Sequence, residues 1–268
     1  DTGLAIKVSY NYLEQVEEMD KTFISQAEAN QRKGRAGRTQ SGECYRMYTE
    51  LEFKKFNVST KPDLATHNLD EFLLQYIFFF NYEPEGPLKH LKKFLGDLIT
   101  PPSEEGVKLT LRKFVKLGLL EMEKGGRLTN LGECFKSLGS SFDIRQFFLT
   151  GLSYDIDLPI MCDLVSILES GINITDWFSD KLPDKFRNHY VNSYGELFGL
   201  YHMYLDFADR RLPKKYGLYL NVKKFNEISR TSDAKCGTGS AYAGMSPVIS
   251  PVFKSNICFS QVEPKFKI

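Results

Sequence analysis

Gln31-Arg32-Lys33-Gly34-Arg35-Ala36-Gly37-Arg38 is the stretch of the chain densest in chemistry. Four cations fall within seven residues, two glycines divide them, and a glutamine leads. Arg35 and Arg38 are three apart, so on one helical turn their guanidiniums face the same way. Two planar, permanently charged forks converging on one point suit a multiply charged oxyanion such as a terminal phosphate. Gly34 and Gly37 predict a hinged segment, where the backbone takes angles or makes approaches that other residues resist. A solvated basic turn or a generic RNA-binding patch would carry the same charge. The glutamine, the fixed spacing and the residues upstream set this stretch apart from both. Ser25 followed three residues later by Glu28 is a capping box. It predicts a short helix through Ala27, Ala29 and Asn30 that carries Gln31 and Arg32 into the glycines.

The elements that must hold this stretch are legible on either side. Residues 3–10 are apolar and β-branched and predict a strand. Residues 11–20, with Glu14, Glu17, Glu18 and Asp20, predict a hairpin or loop, and 21–24 a returning strand. After Arg38 come a loop at 39–42, a strand at Cys44–Tyr48 and a short helix at 50–56. Residues 57–62 are polar and predict a crossing between domains. Leu69 to Phe80 places Phe72, Leu73, Tyr76, Ile77 and Phe80 on one helical face. Pro84, Gly86 and Pro87 stop it. Pro101-Pro102-Ser103-Glu104-Glu105 opens a second helix that runs to Leu117 and stops at Gly118. Leu119 to Thr129, with Gly125-Gly126 between apolar runs, predicts a β-hairpin. Helix, helix, hairpin is a winged-helix pattern.

Beyond Thr129 the chain turns mainly helical. Helices are predicted at 130–138, closed by Gly139, in the apolar run 143–152, and from Pro159 as a first helical residue to Ser170. Trp177 and Phe178 fall in a loop as core packing. Leu197, Leu200, Tyr201, Tyr204 and Phe207 form a helical core stripe. Arg210, Arg211, Lys214 and Lys215, followed by Lys223 and Lys224 with Tyr216 and Tyr219 interleaved, fit phosphate contacts plus base stacking on a single strand. They fit a solvated face equally well. Residues 231–268 lose periodicity, and their glycines, serines and prolines predict loop, extended strand or disorder.

Composition narrows the classes. A chain of 268 residues holds one large domain or two to three small ones. A net charge of +1 excludes a global basic field, so any nucleic-acid site is a local patch. Cys44, Cys134, Cys162, Cys236 and Cys258 never form C-x-x-C, which argues against a zinc module and gives no disulfide framework. His67, His90, His189 and His202 lack metal-type spacing. No apolar run is long enough for a membrane span and no signal peptide is evident. A reducing, intracellular location is expected, cytoplasmic or nuclear.

Gln-Arg-x-Gly-Arg-Ala-Gly-Arg, with Lys33 at the variable position, resembles motif VI of the DEAH-box (DEAH/RHA) helicases, which use ATP to translocate on RNA. Other DExH helicases carry similar motifs. The downstream pattern resembles the DEAH branch. A proline pair, Pro101-Pro102, precedes the long helix, and Leu117-Gly118-Leu119-Leu120 leads into the hairpin. Pro62-Asp63-Leu64 is similar to the family's Pro-Glu-Ile, although an arginine usual beyond it is replaced near His67. The resemblance implies a mixed α/β then mainly α chain. Residues 1–56 would be the end of a second RecA-like domain and 57–129 a degenerate winged helix. Residues 130–230 would be a helical-bundle ratchet domain, and 231–268 an irregular tail or the start of an incomplete OB-like region.

It also implies roles. Arg35 and Arg38 would be arginine fingers on the γ-phosphate, and Gln31 would contact that phosphate or orient the attacking water. These three would be both the catalytic and the nucleotide-binding residues, while Arg32 makes structural or interdomain pairs. Arg210, Arg211, Lys214 and Lys215 would hold nucleic acid. Asp1-Thr2-Gly3 falls just after motif V, so the chain is expected to be a C-terminal piece. The sequence has no G-x-x-x-x-G-K-[ST] loop and no Asp-Glu-x-His motif. ATP (or another NTP) and Mg²⁺ would therefore be bound mainly by residues outside this chain, which alone should not hydrolyse ATP. Expected partners are single-stranded RNA, the first RecA-like lobe and a protein activator. The alternatives are a non-catalytic nucleic-acid-binding or scaffold module that keeps the fold, and a DExH helicase acting on DNA.

Overall fold

A computed structural model describes residues 1–171, 190, 195–208 and 222–236. The chain is mixed α/β at its start and mainly helical afterwards. It opens with antiparallel strands β1 (Leu4–Asn11) and β2 (Val16–Phe23), paired from Leu4 opposite Phe23 to Asn11 opposite Val16. The turn is made without glycine. Asn11 Oδ1 accepts from the N–H groups of Leu13 at 3.1 Å and Glu14 at 3.2 Å, and Gln15 adopts a φ of 55°. An Asx-type bond replaces the flexibility a glycine would supply.

The acidic run is thus the expected hairpin's turn, with Glu14, and most of its returning strand, which begins at Val16 rather than Lys21. Every residue of β2 is exposed, so no buried face imposes the alternation that marks a strand in sequence. The hairpin is fastened to residues further along the chain. Tyr10 N–H donates to the Thr66 carbonyl at 2.8 Å, and the Tyr12 hydroxyl donates to the His67 carbonyl at 3.0 Å. The Tyr12 ring also lies against Gly106.

Helices α1 (Gln26–Arg35) and α2 (Glu50–Lys55) come next, both opened by capping boxes, from Ser25 and Thr49. Ile24, Ala29 and Phe56 are buried together beneath Ala5, Tyr48 and Phe53. Phe56 stacks on Phe23 at 5.1 Å and meets Tyr48 at 5.0 Å between ring centroids. The strand expected at Cys44–Tyr48 does not form. Among the described residues its backbone partner is Asp1, whose nitrogen donates to Tyr45 O at 2.8 Å and whose carbonyl accepts from Met47 N–H at 2.9 Å. One residue of partner edge gives no ladder.

Beyond α2 lie α3 (Asp70–Phe79), α4 (Pro87–Gly96) and α5 (Glu104–Lys116), with α3 packed on both others. Leu73, Leu74 and Ile77 are fully buried, as are Leu91, Leu111 and Phe114. Each such side chain stabilises by about 1.5–3 kcal/mol. Helix α4 lies where the prolines and glycine predicted only a stop. Pro87 is its first residue, where a missing N–H costs nothing and the fixed φ favours a helix. Two short strands, β3 (Leu120–Glu121) and β4 (Arg127–Leu128), form the expected hairpin.

The remaining described helices are α6 (Asn130–Ser137), α7 (Phe142–Ser153), α8 (Leu158–Glu169), α9 (Glu196–Ala208) and α10 (Val222–Cys236). Helix α8 packs against α7, α9 and α10 and buries Met161, Cys162, Leu164, Val165 and Ile167. Helix α10 runs to Cys236, past residue 231 where periodicity was expected to end. It is seated by polar contacts that an apolar pattern cannot show. Ser232 donates to Asp163 at 2.5 Å, Lys235 pairs with Glu169 at 2.7 Å, and Tyr204 and Ser229 hydroxyls meet at 3.2 Å. Burial raises the Asp163 carboxyl above its usual range, against the hydrogen bonds from Ser232 and Tyr204.

The chain divides into two compact units. One holds Asp1–Leu117 and Met122–Arg127, the other Gly118–Glu121 and Leu128–Ile268. No helix among the described residues is long and apolar enough to cross a membrane. The loop expected around Trp177 and Phe178, the cluster at Arg210, Arg211, Lys214 and Lys215, and residues 237–268 lie outside the described residues.

Candidate phosphate-contacting site

Helix α1 is pinned first at its N-terminus. The Ser25 hydroxyl accepts from Glu28 N–H at 3.1 Å, and Glu28 Oε2 accepts from Ser25 N–H at 2.7 Å and from Lys7 Nζ at 3.2 Å. Burial disfavours the ionised Glu28, but hydrogen bonds from the Ser25 N–H, Thr60, Lys7 and the Ser25 hydroxyl outweigh it and hold the carboxyl down at about 2. A pKa depressed on folding contributes stability above the unfolded value and loses it as pH falls through the folded one. Glu28→Gln should therefore flatten the acid limb of the unfolding midpoint between about pH 5 and 2. Thermal scans across that window check this, and an unchanged acid limb would show that Glu28 does not carry the effect.

The middle of α1 is pinned by Arg32. Its Nη1 donates to Asp1 Oδ1 at 3.0 Å, and Nη1 and Nη2 both reach the Leu4 carbonyl at 3.2 Å. Asp1 Oδ1 also accepts from Gly3 N–H at 3.1 Å, and Oδ2 from the Tyr48 hydroxyl at 3.0 Å. Gly3 has a φ of 74°, and a Cβ there would come within 2.7 Å of the Tyr48 ring. Arg46 supports the third side, donating to Asn30 Oδ1 at 3.0 Å with its guanidinium 4.6 Å over the Phe53 ring. Asp1, Tyr48 and Arg46 carried no local signal as partners of this helix. Asp1 and Arg46 lie 31 and 16 positions from the α1 residues they hold.

Gln31 and Arg35 sit one turn apart on α1 and are exposed, as are Lys33 and Arg38. Among the described residues none of these four side chains has a hydrogen bond or ion pair. Two local expectations are corrected. Helix α1 runs through Gly34 to Arg35 and is capped at Ala36, so Arg38 lies beyond it rather than on the same helical turn as Arg35. Gly34 and Gly37 have ordinary negative-φ backbones, and a Cβ on either meets nothing within 4 Å. The close approach belongs to Gly42, where a Cβ would sit 2.2 Å from the Ala36 carbonyl oxygen. The loop after Arg38 folds back on the helix end, and only glycine fits there.

The arrangement offers Gln31 and two arginines to a ligand, with the neighbouring arginine already neutralised by Asp1. Unpaired guanidiniums suit phosphate oxygens. Among the described residues there is no group of three or more His, Cys, Asp or Glu side chains that could hold a metal.

No family model matches the chain. It is 25% identical to human ATP-dependent RNA helicase DHX29 over 232 residues, 87% of this chain and 16% of that protein. It is 32% identical to human ATP-dependent DNA/RNA helicase DHX36 over 187 residues, 70% of this chain and 18% of that protein. The chain is a homologue of the DEAH-box ATP-dependent RNA helicases. It spans only about a sixth of the length of these helicases. The crystal structure of the Escherichia coli DEAH/RHA helicase HrpB shares its fold, with a TM-score of 0.52 and 19% identity over 65% of this chain and 21% of HrpB.

Proposed function

We propose that the chain is the motif VI-bearing C-terminal portion of an ATP-dependent RNA helicase that couples NTP hydrolysis to movement on, or unwinding of, RNA. The observation that carries this is the helix α1 built to be held on one side by Arg32, Glu28 and Asn30 while Gln31, Arg35 and Arg38 are left unpartnered among the described residues. Residues 1–56 are read as the end of a RecA-like domain, 57–129 as a winged helix and the helices beyond as a ratchet domain. ATP with Mg²⁺ would be bound mainly by residues outside this chain, and bound there it supplies the phosphoryl group that is transferred to water. Arg35 and Arg38 stabilise negative charge on the transferring group, and Gln31 contacts that group or orients the attacking water. Arg32 holds the helix. ATP turnover of Arg35→Ala and Arg38→Ala proteins tests this, and normal turnover in either overturns the assignment.

Single-stranded RNA is the polymer proposed. Arg210, Arg211, Lys214 and Lys215 are proposed to neutralise its phosphates. Replacing all four by Gln should weaken binding and lower the slope of log K against log[salt] by up to about 3 for a single strand. An unchanged slope in a salt titration would show these residues to be bland surface. The name of DHX36 joins DNA to RNA, which favours strand preference as the second reading to test, by competition between RNA and DNA oligomers of one sequence.

A further inference from the structure

We propose that Asp1 is a positioning residue for the Gln31–Arg38 element, acting through Arg32. The inference rests on the assignment of Arg35 and Arg38 as arginine fingers. The Asp1 side chain is 4% exposed and carries a charge, yet its three partners account for it: Arg32 Nη1, Gly3 N–H and the Tyr48 hydroxyl. A buried carboxylate is retained only where such bonds compensate it. Of these partners only Arg32 belongs to α1. Arg32 precedes Arg35 by three positions, so the two cations are neighbours on the helix surface and repel. Drawing Arg32 onto Asp1 and the Leu4 carbonyl fixes the rotation of α1 and removes the competing charge beside Arg35. Among the described residues Arg35 is then the free cation of the pair.

Tyr48 makes the arrangement stiff. Its hydroxyl holds the second carboxylate oxygen, and its ring packs against Phe56 in the core beneath α1. The carboxylate therefore cannot follow Arg32 if the helix turns. Pre-positioned donors act on charge that develops during the reaction, so their misplacement costs turnover rather than substrate affinity.

The test is steady-state ATP hydrolysis by the full-length protein with saturating RNA, comparing wild type, Asp1→Asn, Asp1→Glu and Arg35→Ala. Asp1→Asn keeps the size and acceptor oxygen but not the charge. It should lower kcat by about ten- to a hundredfold, with KM for ATP and RNA affinity within about twofold. Asp1→Glu, which keeps the charge, should retain more of kcat. Circular dichroism at the assay temperature reports the folded fraction in each variant. A wild-type kcat in folded Asp1→Asn overturns the proposal, and so does a kcat that falls only in step with the folded fraction. If Arg35→Ala itself turns over normally, the finger assignment fails. If Arg35→Ala is inactive and Asp1→Asn is not, only the role of Asp1 fails.

Discussion

Arg35→Ala or Arg38→Ala is expected to lower RNA-stimulated ATP turnover by about 10³- to 10⁵-fold while changing stability by no more than about 0.5 kcal/mol. The two halves of this result come from one structural fact. Both side chains are exposed and neither is bonded to any other described residue, so the fold loses nothing when they are cut back. Whatever is lost is lost at the reaction. Lysine should not rescue, because an ammonium lacks the planar fork that engages two phosphate oxygens at once. Arg32→Ala should behave differently. It leaves the Asp1 carboxylate buried without its charge partner, so its first effect is on stability. Turnover assays paired with thermal unfolding of the three alanine variants check the contrast. Equal destabilisation by all three would contradict it.

The largest stability effect is expected at Asp70. This carboxylate is buried at the start of α3, pairs with Lys113 of α5 at 2.7 Å and accepts from Asn68 Nδ2 at 3.1 Å. Both side chains are well shielded, 4% exposed for Asp70 and 15% for Lys113. Asp70→Ala removes a buried, charged partner of Lys113 and should cost about 3–5 kcal/mol. That is a large share of the roughly 5–15 kcal/mol that holds a typical domain together. Amide hydrogen exchange along α3 and α5 reads it, as a loss of protection of about 10²- to nearly 10⁴-fold. Replacing both partners, Asp70→Leu with Lys113→Met, should recover most of the loss. A double variant as labile as the single one would show that the charge pair is not the cause. Tyr12 stays a hydrogen-bond donor throughout, since burial, with Asp70 and Tyr10 adding, pushes its hydroxyl up to about 12.

The elements announced by local chemistry were legible. Ser25 and Glu28 opened α1 where expected, Pro159 sits in the first turn of α8, and Gly118 lies just past the end of α5 with a φ of 70°. Leu73, Tyr76 and Ile77 of the expected α3 face are buried, whereas Phe72 is half-buried, Phe80 caps the helix, and Leu74, outside that face, is buried as fully as Leu73. The misses share a cause: partners distant in sequence. Cys44–Tyr48 has strand composition but, among the described residues, one residue of edge to pair with. Helix α10 continues past 231 because Ser232 and Lys235 find Asp163 and Glu169, some 66 to 69 positions earlier. For the candidate stretch Gln31–Arg38, the pair of arginines and the family resemblance pointed to Gln31, Arg35 and Arg38, although Arg38 lies beyond the helix. It could not show that Gly42 rather than Gly34 or Gly37 makes the tight approach, or that Arg32 answers to Asp1.

A pair of strands standing alone is soft, because nothing but its own ladder resists bending. The arm formed by β1 and β2 is fastened at its root by Ile24 N–H to the Gly3 carbonyl, and again near its tip by Tyr10 and Tyr12 to Thr66 and His67. Two fastenings make it a beam rather than a flap. A load on the acidic tip is carried into the residues that open α3, and through the Tyr12 ring into the start of α5. Its rigidity is borrowed from those helices. Loosening Tyr12 would give the arm a hinge without altering a single residue of its ladder.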